Sequence, residues 1–80
     1  MINQAMKRSI ESGECIDLSK CKKEGNCYII ENFIDGMDYC DAETEQWIWS
    51  IGKRRSDGVI LASTSSKFYG AVGYECIWLR

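Results

Sequence analysis

Cysteine is the residue type with the most chemistry to offer in this chain. Five occur, and Cys15, Cys21 and Cys27 recur at even intervals, with Cys40 and Cys76 further on. A structural zinc site wants four ligands in a tetrahedron, usually with two of them supplied by one tight C-x-x-C-like knuckle. Every gap here is longer. A tetrahedron of Cys15, Cys21, Cys27 and Cys40 is geometrically open to the chain but is not signalled, so the expectation is no metal and no cofactor. The chain has no histidine, and so lacks both the commonest general base and the commonest transition-metal ligand. Only Lys20, Lys22 and Lys23 stand close enough to Cys21 in the chain to favour a thiolate there. That is compatible with an exposed, mildly reactive Cys21, but not with a cysteine hydrolase. No set of nucleophile, base and oxyanion donor can be assembled, so an enzyme is not expected.

Charge offers two further candidates. Asp35, Asp38, Asp41, Glu43 and Glu45 make an acidic stretch, but Asp35-Gly36-Met37-Asp38 lacks the alternating oxygen ligands of a calcium loop. It reads as a solvated acidic loop. Two basic turns carry Lys20, Lys22, Lys23 and Lys53, Arg54, Arg55. With Trp47, Trp49 or Tyr28 exposed between them, such turns could hold phosphates and stack the bases of a single strand. Turns are also charged simply because they face water. Twelve acidic against ten basic residues leave a net charge of −2, whereas a general nucleic-acid binder is basic over its whole domain. Nucleic acid is therefore the alternative partner, not the expected one.

The elements that must position these residues follow from periodicity. Ile2, Ala5, Met6 and Ile10 recur at helical spacing, which predicts an amphipathic helix over about 2–12 with Asn3 as its cap and Gly13 as its stop. From 14 to 80 the chain reads as short strands. A weak one lies at 14–19, a polar turn at 20–26, and an apolar strand at 27–34 ends in the Asp35-Gly36 turn. A short strand centres on Tyr39. Residues 46–53 alternate strictly, with Trp47, Trp49 and Ile51 on one face and Ile48 on the other, and Asp57-Gly58 then turns the chain back into 59–64. Residues 65–69 could form one helical turn ended by Gly70, 71–73 a link, and 74–79 a last strand, with Tyr74, Cys76 and Trp78 on one face and Ile77 and Leu79 on the other. The expected fold is α+β in one domain, 1–80. It is an N-terminal helix packed on an antiparallel β-meander of four or five strands, with curling towards a half-barrel as a further option.

An 80-residue domain buries only about 60% of its unfolded surface. Here 45% of the residues are hydrophobic, and the strands are apolar on both faces while one short helix covers a single face. If Trp47 and Trp49 pack under that helix, Ile48, Ile77, Trp78 and Leu79 are left as a surface for another protein, most simply a second copy of the chain. A small-molecule pocket among the aromatic residues is the third reading. No run is long and apolar enough to span a membrane, and residues 1–12 lack the features of a secretory signal, so the expected compartment is the cytoplasm, with mostly free thiols.

The segment 47–80 contains Trp47-Ile48-Trp49-Ser50-Ile51-Gly52, Ala62-Ser63-Thr64 and Glu75-Cys76-Ile77-Trp78-Leu79-Arg80. It resembles small uncharacterised bacterial proteins of the kind encoded on prophages and mobile gene cassettes. The resemblance covers under half of the chain. It implies a bacterial accessory role and assigns no functional residue.

Overall fold

The computed structural model describes residues 3–65 and 75–80. Within them, helix α1 (Gln4–Glu11) is followed by eight strands: β1 (Cys15–Asp17), β2 (Lys23–Glu24), β3 (Cys27–Ile30), β4 (Asp38–Asp41), β5 (Gln46–Trp47), β6 (Ser50–Arg54), β7 (Ile60–Ser63) and β8 (Cys76–Trp78). The fold is α+β. The expectations for Ile2 and for 66–74, including the turn ended by Gly70 and the place of Tyr74, lie outside the described residues.

The helix forms where the spacing predicts. Asn3 Oδ1 accepts from the backbone N–H groups of Ala5 (2.8 Å) and Met6 (3.4 Å), two of the donors a helix start leaves unpaired. Its apolar stripe does not cover a large sheet. Met6 is buried against Cys15 and Cys40, on the smaller of two sheets.

Two sheets replace the single meander. One has the order β1-β4-β5, the other β2-β3-β7-β6-β8. All pairs of the larger sheet are antiparallel, but β1 and β4 run parallel with Ile16 opposite Tyr39. A parallel pair needs a crossover of a dozen or more residues. The stretch 18–37 supplies it and carries β2 and β3 into the other sheet on the way. The expected polar turn at 20–26 therefore hides a strand. Glu24 pairs with Cys27 across the two-residue loop Gly25-Asn26, and Gly25 at φ 62° takes the first position of a type II′ hairpin turn. The hairpin at Asp57-Gly58 forms as expected, with Arg54 N–H donating to Val59 O and Gly58 N–H to Arg54 O, both at 2.8 Å.

Residues 46–53 are not one strand. Trp47 pairs with Cys40 in the smaller sheet, whereas Ser50 and Ile51 pair with Ser63 and Ala62 in the larger. The backbone changes partner within two residues: Ile48 N–H donates to Tyr39 O (2.9 Å) and Trp49 N–H to Ser63 O (2.8 Å). This corner shifts the alternation by one step. Ile48, expected at the surface, is 8% exposed and joins Leu18, Tyr28, Ile30, Tyr39, Ile51 and Ala62 in the core between the sheets. Trp49, expected under the helix, is 68% exposed, and Trp47 is exposed as well.

The opposite face of the larger sheet holds a second cluster of Cys27, Leu61 and Cys76. Arg54 Nη1 on β6 meets Glu24 Oε1 on β2 at 3.0 Å over this face, although the strands are first and fourth in order. Neighbouring strands lie about 4.8 Å apart, so a flat sheet would separate these two by roughly 14 Å. The long arginine and glutamate side chains reach across β3 and β7 to meet there. Among the described residues, no helix is long and apolar enough to cross a membrane.

The corner makes opposite demands on neighbouring residues. Ile48→Ala is expected to cost about 2–4 kcal/mol of stability, and Trp49→Ala no more than about 0.5 kcal/mol. Urea unfolding of both variants at low protein concentration checks the ranking, and a larger loss from Trp49→Ala would contradict the corner.

Candidate functional site

Two regions concentrate chemistry, one buried and polar, the other exposed and apolar. The buried one grows from the ends of β1 and β4, which lie side by side in the parallel pair. Asp17 closes β1, and its Oδ1 accepts from Ser19 N–H (2.9 Å) and Ala42 N–H (3.0 Å) while Oδ2 accepts from the Ser19 hydroxyl (2.9 Å). Asp41 closes β4 and is buried. Its Oδ1 accepts from the N–H groups of Glu43 (2.9 Å) and Thr44 (3.2 Å), and its Oδ2 accepts from the hydroxyl of Tyr28 on β3, in the other sheet.

The electrostatics follow from these donors. Burial works to raise the Asp41 carboxyl, but the hydrogen bonds from Tyr28, Thr44 and Glu43, helped by the Lys23 charge, outweigh it and hold the group below the ordinary 3.8. Burial also opposes ionisation of Asp17, and there the Ala42 and Ser19 donors win, even against the Asp41 charge. Burial, then the bond to Asp41, pushes the Tyr28 phenol up to about 12. At neutral pH this is a charged acceptor pair with a firmly protonated tyrosine. Such an arrangement holds elements in place and has no group poised to exchange a proton near neutrality. Asp41 was expected in a solvated loop. The signal that could have found it is the sequence Asp41-Ala42-Glu43-Thr44, a side-chain-capped turn directly after an apolar strand.

The exposed region lies where the sheet corner meets the last strand. Leu79 N–H and Arg80 N–H both donate to Ile51 O, at 2.8 and 3.1 Å, and Ile51 N–H donates to Arg80 O at 2.9 Å. This ties the C-terminal residues to the start of β6, next to Trp49. Trp47, Trp49, Ile48, Tyr39, Asp38 and Arg80 line a hollow of about 400 Å³. Of the interaction residues expected from the sequence, Ile77, Trp78 and Leu79 are exposed, and Ile48 is not. Trp47 and Trp49 are exposed too.

The two basic turns do converge, but through acids. Arg54 is bound by Asp57 (2.6 and 3.0 Å) as well as by Glu24, and its guanidinium is held charged by both. In return Arg54, with the Val59 N–H, brings Asp57 down to about 2. Lys23 sits 4.7 Å over the ring of Tyr28, and that ring is buried rather than open for stacking. Lys20, Lys22, Lys53 and Arg55 are exposed. Cys21, whose exposure the sequence leaves open, is half-buried, and burial pushes its thiol up from the usual range. It lines a larger hollow of about 540 Å³ with Ile16, Leu18, Ile30, Ile34 and Tyr39, rimmed by Lys20 and Lys22. The four thiols of the tetrahedral arrangement fall into three separate clusters, and no group of three or more metal-binding side chains occurs among the described residues.

Comparison with family models, curated proteins and solved structures returns no match. The geometry alone carries the functional reading.

Removing the Tyr28 hydroxyl tests the buried region. Tyr28→Phe leaves a buried carboxylate one donor short and is expected to cost about 1.5–3 kcal/mol at neutral pH. Asp17 and Asp41 both have lowered folded-state values. Their contribution is therefore complete above the ordinary 3.8 and is lost as pH falls below it. Chemical unfolding across pH 2–7 should show stability falling on that acid side and the gap between wild type and Tyr28→Phe closing there. A gap independent of pH would contradict a charged Asp41 as the acceptor.

Proposed function

We propose that this chain is a protein-interaction module that pairs with a second copy of itself through the surface around Trp47, Trp49, Ile77, Trp78 and Leu79. One observation carries the reading: among the described residues six large hydrophobic side chains are exposed, and these five belong to the sheet corner and the C-terminal segment that is hydrogen-bonded beside it. Leaving one such side chain in water instead of burying it costs about 1.5–3 kcal/mol, so several together rival the stability of a domain this size. Exposed apolar residues beside polar groups, as Trp47 and Trp49 stand beside Asp38 and Arg80, are a usual mark of an interface, and symmetric pairing is its commonest use. We read the larger sheet as a half-barrel wall that supports this surface. The bacterial accessory role implied by the resemblance over 47–80 belongs to the same proposal.

Two observations weigh against the single-stranded nucleic-acid reading. Arg54 is engaged by Glu24 and Asp57, and Tyr28 is buried. The small-molecule reading has its own support in the hollow beside Cys21, whose volume falls within the range of ligand sites.

Sedimentation velocity from low to high micromolar concentration tests the pairing. A species of twice the chain mass is expected. It should be lost in Trp49→Glu and in Ile77→Glu while the monomer stays folded. A monomer that persists at high micromolar concentration overturns self-association.

A further inference from the structure

We propose that Cys15 and Cys40 form an oxidation site, at which the chain closes an internal disulfide between the parallel strands β1 and β4 beneath helix α1. The two Sγ atoms lie 2.7 Å apart, with the Cys15 thiol donating to Cys40, well inside the separation that unbonded sulfurs normally keep. The strands that carry them are fixed on the far side of the pair by the Leu18 N–H to Cys40 O bond (2.7 Å) and the Ala42 N–H to Asp17 bond (3.0 Å). Cys15 stands opposite Asp38 and Cys40 opposite Asp17, so the two thiols share one face of the pair and meet diagonally across it, and a further approach reaches the bonded distance of about 2.05 Å. The other three cysteines sit in different clusters: Cys21 against the core between the sheets, Cys27 and Cys76 beside Leu61.

Both sulfurs are buried, and Met6 of α1 packs over them. Access runs through that helix. It has eight residues, of which Met6 is the buried one, and so short a helix is marginal without its docking contact. Local opening of α1 exposes the pair without unfolding the sheets. Burial raises both thiols from their ordinary range, so exchange proceeds from the open state and not from the closed one.

The oxidant is a small-molecule disulfide of the glutathione class. One cysteine thiolate attacks its S–S bond, giving a mixed disulfide and releasing one reduced thiol. The second cysteine thiolate then attacks the protein sulfur of the mixed disulfide, forming the Cys15–Cys40 bond and releasing the second thiol. Two electrons pass from the cysteine pair to the oxidant, and the two protons shed by the cysteines are taken up by the released thiolates.

The whole chain, equilibrated in buffers of varied oxidised-to-reduced glutathione ratio, acid-quenched, alkylated in denaturant and peptide-mapped, provides the test. Two of the five thiols should be lost, and the cross-linked peptide should join Cys15 to Cys40. The same product is expected from Cys21→Ser and none from Cys40→Ala. The oxidised chain should melt roughly 10–20 °C higher, reversibly with reductant. Asn3→Ala, which loosens α1 by about 1 kcal/mol, should speed oxidation roughly fivefold. Five thiols persisting at an oxidising poise, a mapped bond between another pair, or a bond that forms only in denaturant would each overturn the proposal. Because the mapping is done on the unaltered chain, the outcome does not depend on any variant folding.

Discussion

A buried carboxylate holds the two sheets of this protein in relation to one another. Asp41 ends a strand of the smaller sheet, and its hydrogen-bonding partner Tyr28 lies on β3, the second strand of the larger. Apolar packing between the sheets is non-directional and would tolerate sliding, whereas a charged acceptor with three donors tolerates little. The same carboxylate shapes the turn into β5, and β5 leads into the corner at Ile48 and Trp49. The position of the core and the position of the exposed tryptophans therefore share one polar origin.

That corner distributes the apolar residues. Once the chain leaves the β1-β4-β5 sheet at Trp47 and enters the larger one at Ser50, a residue with two β-branched neighbours in the core and a residue pointing to solvent must sit side by side. Ile48 fits the first position, because its stiff branched side chain packs well against strands. Trp49 is left outside, beside the C-terminal strand. The exposed face is thus a consequence of joining two sheets with no intervening loop, and not a separate addition to the fold.

Much of this was legible from residue order, and the rest failed for identifiable reasons. Asn3 and Gly13 bracket the helix, and Asp57-Gly58 turns a hairpin, because caps and turns are decided by neighbours in sequence. The parallel pairing of Ile16 with Tyr39 was not legible, since such partners are chosen across a crossover that leaves no local mark. Trp47, Ile48 and Trp49 misled because alternation reports two faces but not which sheet each residue joins. In the candidate site, Ile77, Trp78 and Leu79 were named from their apolar character and are exposed, while Tyr28 and Asp41 were missed as partners. The spacing marks Tyr28 only as a strand residue and Asp41 only as part of an acidic loop, and neither position signals the other.

The parallel pair of β1 and β4 has a kinetic corollary. The hairpins β2-β3 and β6-β7 close over two and four residues and can form within microseconds. The β1-β4 ladder must instead enclose the whole 18–37 stretch, with a hairpin already inside it, before any of its hydrogen bonds is made. Loop-closure entropy on that scale places the ladder later than the hairpins, together with the β3-β7 pairing that encloses 31–59. Helix α1, which docks on that ladder, has no surface to settle on until then. Docking of the N-terminal helix therefore waits on a pairing slower than either hairpin.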